Sequence, residues 1–169
     1  TKYFEDKGWN GICIEPNPYI YEQLINSREC IKINSCISDM EGKVNFLSVV
    51  GEGHMLSGIY DFMDDNHKRR IDEAVKSYGD KKEFIEIESK KLETLLLQYN
   101  IDKIDYLSVD TEGCELSILK TIDFNKIPIS LISIENGKSN AEVFRLLTKN
   151  GYRLITCLGC DEIYKRFIS

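Results

Sequence analysis

The stretch Ile104–Gly113, IDYLSVDTEG, decides the fold: an apolar run stops abruptly at two carboxylates, Asp110 and Glu112, and turns on a glycine. Ile, Tyr, Leu and Val favour extended backbone. From about Cys114 to Ile122 the chain carries Leu116, Ile118 and Leu119 at helical spacing, so a strand hands over to a helix at a pair of acids. In an open α/β sheet, ligands bind beyond the carboxyl ends of the strands. Asp110 and Glu112 are therefore placed to face one.

The same grammar recurs on either side. Upstream, Thr1 to Lys7 reads as the last turns of a helix closed by Gly8, and Trp9 to Ile14 (WNGICI) as a strand ending in Glu15. Pro16, Asn17 and Pro18 supply a turn, a cap and a first-turn proline for a helix to about Ser27, with Tyr21, Leu24 and Ile25 inward. Cys30 to Ile37 is the next strand, closed by Ser38 and Asp39, and Lys43 to Val50 reads as a half-exposed one. The loop Gly51 to Gly58 precedes a charged segment with Ile71, Ala74, Val75 and Tyr78 at helical spacing, a helical insertion at about 59–82 that resembles a lid. His67 within it reads as solvated.

Downstream of that insertion, Glu83 to Glu88 is a short strand. Ser89 is expected to cap a helix striped by Leu92, Leu95, Leu96 and Tyr99. Beyond the opening stretch, Ser130 to Ile134 ends in Glu135, and Ser139 with Glu142 forms a capping box. Tyr152 to Leu158 and Glu162 to Phe167 make an antiparallel closing pair. The alternation predicts one α/β domain over residues 1–169: a mostly parallel, Rossmann-like sheet between two helical layers, with an antiparallel C-terminal strand. Glu15, Asp39 and Asp110, each ending a strand, suit a polar, polyhydroxylated or cationic ligand.

Composition narrows the partners. The 22 Lys and Arg against 28 Asp and Glu give a net charge of -6, which disfavours nucleic acid and anionic membranes. No apolar run approaches the roughly 20 residues of a membrane span. The 6 cysteines, several inside apolar runs, suit a reduced, cytoplasmic protein. Cys157 and Cys160 form a lone CxxC, and no metal is expected from that spacing without a second ligand pair.

Taken together, GWNGICIEPNPYIYEQL, INSCISD, MLSGI, KIDYLSVDTEGCELSILKTIDF and LGCDEIYKRF resemble the FkbM-type methyltransferases, a branch of the class I S-adenosylmethionine (SAM)-dependent enzymes. The resemblance implies SAM as cofactor and O-methylation of a sugar or another small-molecule hydroxyl. It implies cofactor contacts at Glu15, Pro16, Asn17, Ser38, Asp39 and Asp110, with Glu15 accepting from the ribose hydroxyls and Asp39 and Ser38 beside the adenine. The catalytic candidates are Asp110, Glu112 and Glu135, and His54 and Ser57 would meet the substrate.

Plainer readings stay open at this point. Glu15 would also suit a helix N-terminus, Asp110 and Glu112 would also cap a helix, and Asp39 would also serve a turn. The family's first strand and glycine-rich loop are not found before Glu15. That predicts an N-terminally truncated domain, short by on the order of 25 to 30 residues, whose residues 1–169 alone bind SAM weakly. The rivals are an inactive fragment serving as an interaction domain and an NAD-type nucleotide-binding domain.

Overall fold

The computed structural model describes residues 1–136 and 140–167. The chain is mixed α/β and divides into two compact units, Thr1–Lys90 and the part from Lys91 onward.

In the N-terminal unit a short helix, α1 (Lys2–Asp6), leads to β1 (Ile12–Ile14). The predicted strand is shorter at its start because Trp9 packs on Phe4, ring centroids 4.8 Å apart, instead of joining a ladder. Asn17 caps α2 (Pro18–Ser27) as predicted. Its Ile25 is exposed where the sequence placed it inward.

The Glu5 carboxylate fastens α1 to the far end of α2, accepting from Arg28 Nε and from the backbone N–H groups of Glu29 and Cys30. Those donors, Arg28 first, hold its pKa down at about 2. Glu5 ionises near pH 4.3 in an unfolded chain, so its contribution is complete above that pH and is lost as pH falls toward 2. Glu5→Gln should accordingly lower the melting temperature at pH 6 and flatten its fall between pH 5 and 2.5. A thermal-melt series in which both proteins show the same acid slope would contradict the assignment.

The predicted strand Cys30 to Ile37 is two strands. β2 (Ile31–Ile33) pairs parallel with β1, and β3 (Cys36–Ile37) pairs with a different partner. The break lies at Asn34 and Ser35. Asn34 Nδ2 donates back to the carbonyls of Glu15 and Pro16, while the Ser35 hydroxyl donates to the carbonyls of Cys36 and Glu88.

β3 belongs to a second sheet with β4 (Gly42–Val50), β5 (Gly58–Ile59) and β6 (Lys81–Lys90), in the order β3-β6-β4-β5. β4 is not half-exposed: from Phe46 to Val49 both faces are buried. One face packs under α3 (Asp65–Tyr78), where Leu47, Val49, Leu56, Met63, Ile71 and Ala74 form a core. Tyr78, grouped with these residues by its helical spacing, is exposed. His67 is buried rather than solvated, its Nε2 2.8 Å from the carbonyl of Leu56, which ties α3 to the 54–56 turn. Ser89 does not cap a helix. It lies in β6, fully buried, and its hydroxyl meets that of Ser38 at 2.8 Å.

The second unit starts with α4 (Leu92–Gln98), whose Leu92, Leu95 and Leu96 are buried as the stripe predicts. β7 (Ile104–Val109), α5 (Glu115–Lys120), β8 (Ile129–Glu135), α6 (Ala141–Lys149), β9 (Tyr152–Leu158) and β10 (Asp161–Arg166) follow. Ser139 lies outside the described residues. The cap of α6 is Asn140, whose side chain accepts from Glu142 N–H.

The sheet order is β7-β8-β10-β9. β7 runs parallel to β8, while β10 is antiparallel to both β8 and β9, so the predicted closing pair is present. Ile129, Ile132, Ile134 and Leu147 are fully buried, and the Tyr152 phenol donates to the carbonyl of Ile129 at 2.8 Å. Where the sequence predicted one mostly parallel sheet, the described strands form short, mixed sheets. The reason is that β4 and β10 each run against a neighbour. No helix among the described residues is long and apolar enough to cross a membrane.

Candidate active site

Carboxylates collect at strand ends in both units. In the N-terminal unit Glu15 leaves β1 half-buried, and its Oε1 accepts from Asn17 N–H at 2.7 Å. Asn17 itself is 1% exposed. Its Nδ2 donates to the carbonyl of Val49 (3.2 Å) and to Ser57 Oγ (3.0 Å), and its Oδ1 accepts from Tyr19 N–H (3.1 Å) and from the Ser48 hydroxyl (3.3 Å). Pro16 holds the turn between them. Asp39, after β3, is exposed. The Ser38 hydroxyl beside it is engaged inside the protein with Ser89 and with the backbone of Met40.

The 51–57 loop is fastened rather than loose. The Asp80 carboxylate accepts from Glu52 N–H (3.0 Å) and Gly53 N–H (2.7 Å). Gly51 has φ +135, and a Cβ there would sit 1.9 Å from Asp80 Oδ1, so only glycine permits the close approach. His54 is exposed, its Nδ1 3.0 Å from the carbonyl of Gly51, and it helps line an open cleft of about 490 Å³ with Tyr19, Glu22 and Gln23. Ser57 Oγ donates to the carbonyl of His54 (2.7 Å) and accepts from Asn17 Nδ2 and Val49 N–H. Its hydrogen-bonding capacity is used up internally.

In the second unit the opening stretch forms the strand and the glycine-bearing bend that its residue types suggest. β7 ends at Asp110, whose carboxyl is hydrogen-bonded to Glu135 at the end of the adjacent β8. Asp110 is exposed at the strand end, yet partial desolvation of its carboxyl, then the nearby negative charge of Glu135 and the hydrogen bond to it, push its pKa up to about 6. Glu112 takes a left-handed conformation, φ 55, in the bend that follows.

That bend is organised by Glu115, a residue the sequence did not single out. Its Oε1 accepts from Thr111 N–H (2.8 Å), the Thr111 hydroxyl (2.9 Å) and Gly113 N–H (3.1 Å). Oxygens of Asp110, Glu115 and Glu135 lie within 4.8 Å of one another, close enough to face a single cation. The only advance signal for Glu115 was its place in the first turn of a short helix. Asp161 adds further negative charge from β10.

The profile of the methyltransferase FkbM domain matches residues 1–154 of the chain. The chain belongs to the FkbM methyltransferase domain family. No curated protein and no solved structure matches it. Within this FkbM domain Asp110 and Glu135 are brought together as a bonded pair, and Glu15 and Asp39 stand at strand ends. The hydroxyls of Ser38 and Ser57 are engaged with the protein itself.

Proposed function

We propose that the protein is a SAM-dependent O-methyltransferase acting on a hydroxyl of a small molecule, a sugar being the favoured class, in the cytoplasm. Membership of the FkbM family supports methyl transfer. The free thiols of its cysteines suit a reducing compartment. The parallel pairs β1–β2 and β7–β8, with acids at the ends of β1, β7 and β8, support the finer reading of a Rossmann-like methyltransferase fold.

The N-terminal unit fits the cofactor chemically. A half-buried carboxylate oriented by a backbone N–H, as at Glu15, is an acceptor suited to a ribose diol, and the exposed Asp39 is one suited to an exocyclic amino group. When bound, SAM supplies an electrophilic methyl group on sulfonium. Asp110 would take the proton of the acceptor hydroxyl as the new O–CH3 bond forms and the bond to sulfur breaks.

The observation that carries this is the Asp110–Glu135 pair. Two ionised carboxylates in contact repel each other, so a proton received by Asp110 relieves that repulsion, and the pair is a stronger base than a lone aspartate. Glu112, in its left-handed bend, is the less favoured base. Its replacement by Gln should lower turnover less than replacement of Asp110 by Asn.

The cofactor half is tested at Glu15. Glu15→Gln keeps one acceptor oxygen and loses the charge, and should weaken SAM binding about tenfold or more in calorimetry, the loss of a charge-assisted hydrogen bond. An unchanged dissociation constant would remove Glu15 from the ribose role.

A further inference from the structure

The Asn17 side chain is fully bonded within the N-terminal unit. An amide offers two N–H donors and an oxygen with two lone pairs. Here the donors go to Val49 and Ser57, and the oxygen accepts from Tyr19 and Ser48. The orientation is fixed by the partners, since Tyr19 N–H can only donate and the Val49 carbonyl can only accept. No side-chain capacity remains for a ligand. What Asn17 offers Glu15 is its backbone N–H, at 2.7 Å.

The same side chain therefore joins segments distant in sequence: the Glu15 turn with the first turn of α2, the end of β4 at Ser48 and Val49, and the 51–57 loop through Ser57. Ser57 closes the circuit, accepting from Val49 N–H and donating to the carbonyl of His54. With Asp80 gripping Glu52 and Gly53 from the other side, the loop has few ways to shift without pulling on Asn17.

We infer that Asn17 is a positioning residue rather than a ligand contact, coupling the carboxylate-bearing Glu15 turn to the His54 loop through Ser57. The ligand-binding consequence rests on the reading of Glu15 as the ribose acceptor; the coupling itself does not. Because both ends share one network, a ligand that settles the Glu15 turn also settles the loop, and loosening the loop weakens what Glu15 holds.

Ser57→Ala tests this more gently than a change at Asn17, because it leaves the cap of α2 in place. Amide hydrogen exchange in the unliganded protein should quicken about tenfold at Val49, whose bond is lost, and also at Asn17 and Tyr19, the yield of about one hydrogen bond of typical net strength. Ser57→Thr, which keeps the hydroxyl, should restore both sites. The SAM dissociation constant should rise several-fold in Ser57→Ala, with a smaller change in kcat at saturation. Faster exchange at Val49 with unaltered exchange at Asn17 and Tyr19 would overturn the coupling, and so would a failure of Ser57→Thr to rescue. If Glu15→Gln leaves SAM affinity unchanged while the exchange coupling is seen, the cofactor reading fails and the coupling stands.

Discussion

Replacing Asp110 with Asn should lower the rate of methyl transfer by about 10²- to 10⁴-fold, the range a positioned acid–base group contributes, while making the protein harder to unfold at pH 7.5. Both effects come from one arrangement. Exposed Asp110 lies beside Glu135, and partial desolvation of its carboxyl together with that neighbour's charge raises its pKa to about 6, against about 3.9 in an unfolded chain. Between those values the folded protein holds more protons than the unfolded one. Stability is therefore fully present below about pH 4 and falls as pH rises through 6. Asparagine cannot ionise, so the variant loses that fall.

It also loses the proposed base, and the acid limb near pH 6 should disappear from the pH profile of the residual rate. Thermal melts at pH 4.5 and 7.5 read the first effect, and initial rates across pH 5 to 8 the second. A variant that keeps its turnover and its limb near pH 6 would show that Asp110 takes no proton in the reaction. Gain in stability with loss of activity is the pattern expected where strain is held at a working site.

Phe46→Ala should destabilise the protein by about 3–5 kcal/mol, the range for deleting a buried aromatic ring. Phe46 is 1% exposed and lies in the middle of β4, opposite Ile85 of β6 on one side and Ile59 of β5 on the other. The cavity would open beneath the strand whose next residues, Ser48 and Val49, hold Asn17. Chemical denaturation gives the number. A loss under about 1 kcal/mol would mean that the sheet collapses into the space, and would contradict a closely packed β4 with both faces buried. Phe46→Leu, which refills most of the volume, should recover most of the stability.

The sequence made the elements beside the carboxylates legible because their signals are local. IDYLSV followed by acids and a glycine reads as a strand end from residue types alone, and Asn17 followed by Pro18 reads as a helix start. What it misplaced depends on distant partners. Cys30 to Ile37 looks like one strand until Asn34 and Ser35 bond to chain far away in sequence. Ser89 looks like a cap until Ser38 meets it across the sheet.

His67 sits among charges in sequence and is buried because α3 turns that side toward Leu56. β4 reads as alternating because periodicity reports one face, whereas both faces are covered. The candidate site divides in the same way. Strand ends announce Glu15, Asp39, Asp110 and Glu135, but no spacing rule foretells that Asp110 bonds to Glu135, some 25 residues on, or that Glu115 folds back over the bend. Nor could the residue types of Ser38 and Ser57 reveal that the fold itself occupies their hydroxyls.

The central claim is that this FkbM-family chain moves a methyl group from SAM to a hydroxyl with Asp110 receiving the proton. The most direct measurement supplies methyl-labelled SAM and a panel of sugars to the intact protein and to its Asp110→Asn variant, and follows the label into base-stable methyl ethers by mass spectrometry. The account predicts a labelled ether with the parent protein and a yield lower by about 10²-fold or more with the variant. Equal yields from the two proteins, or label recovered only in methyl esters or on nitrogen, would contradict it.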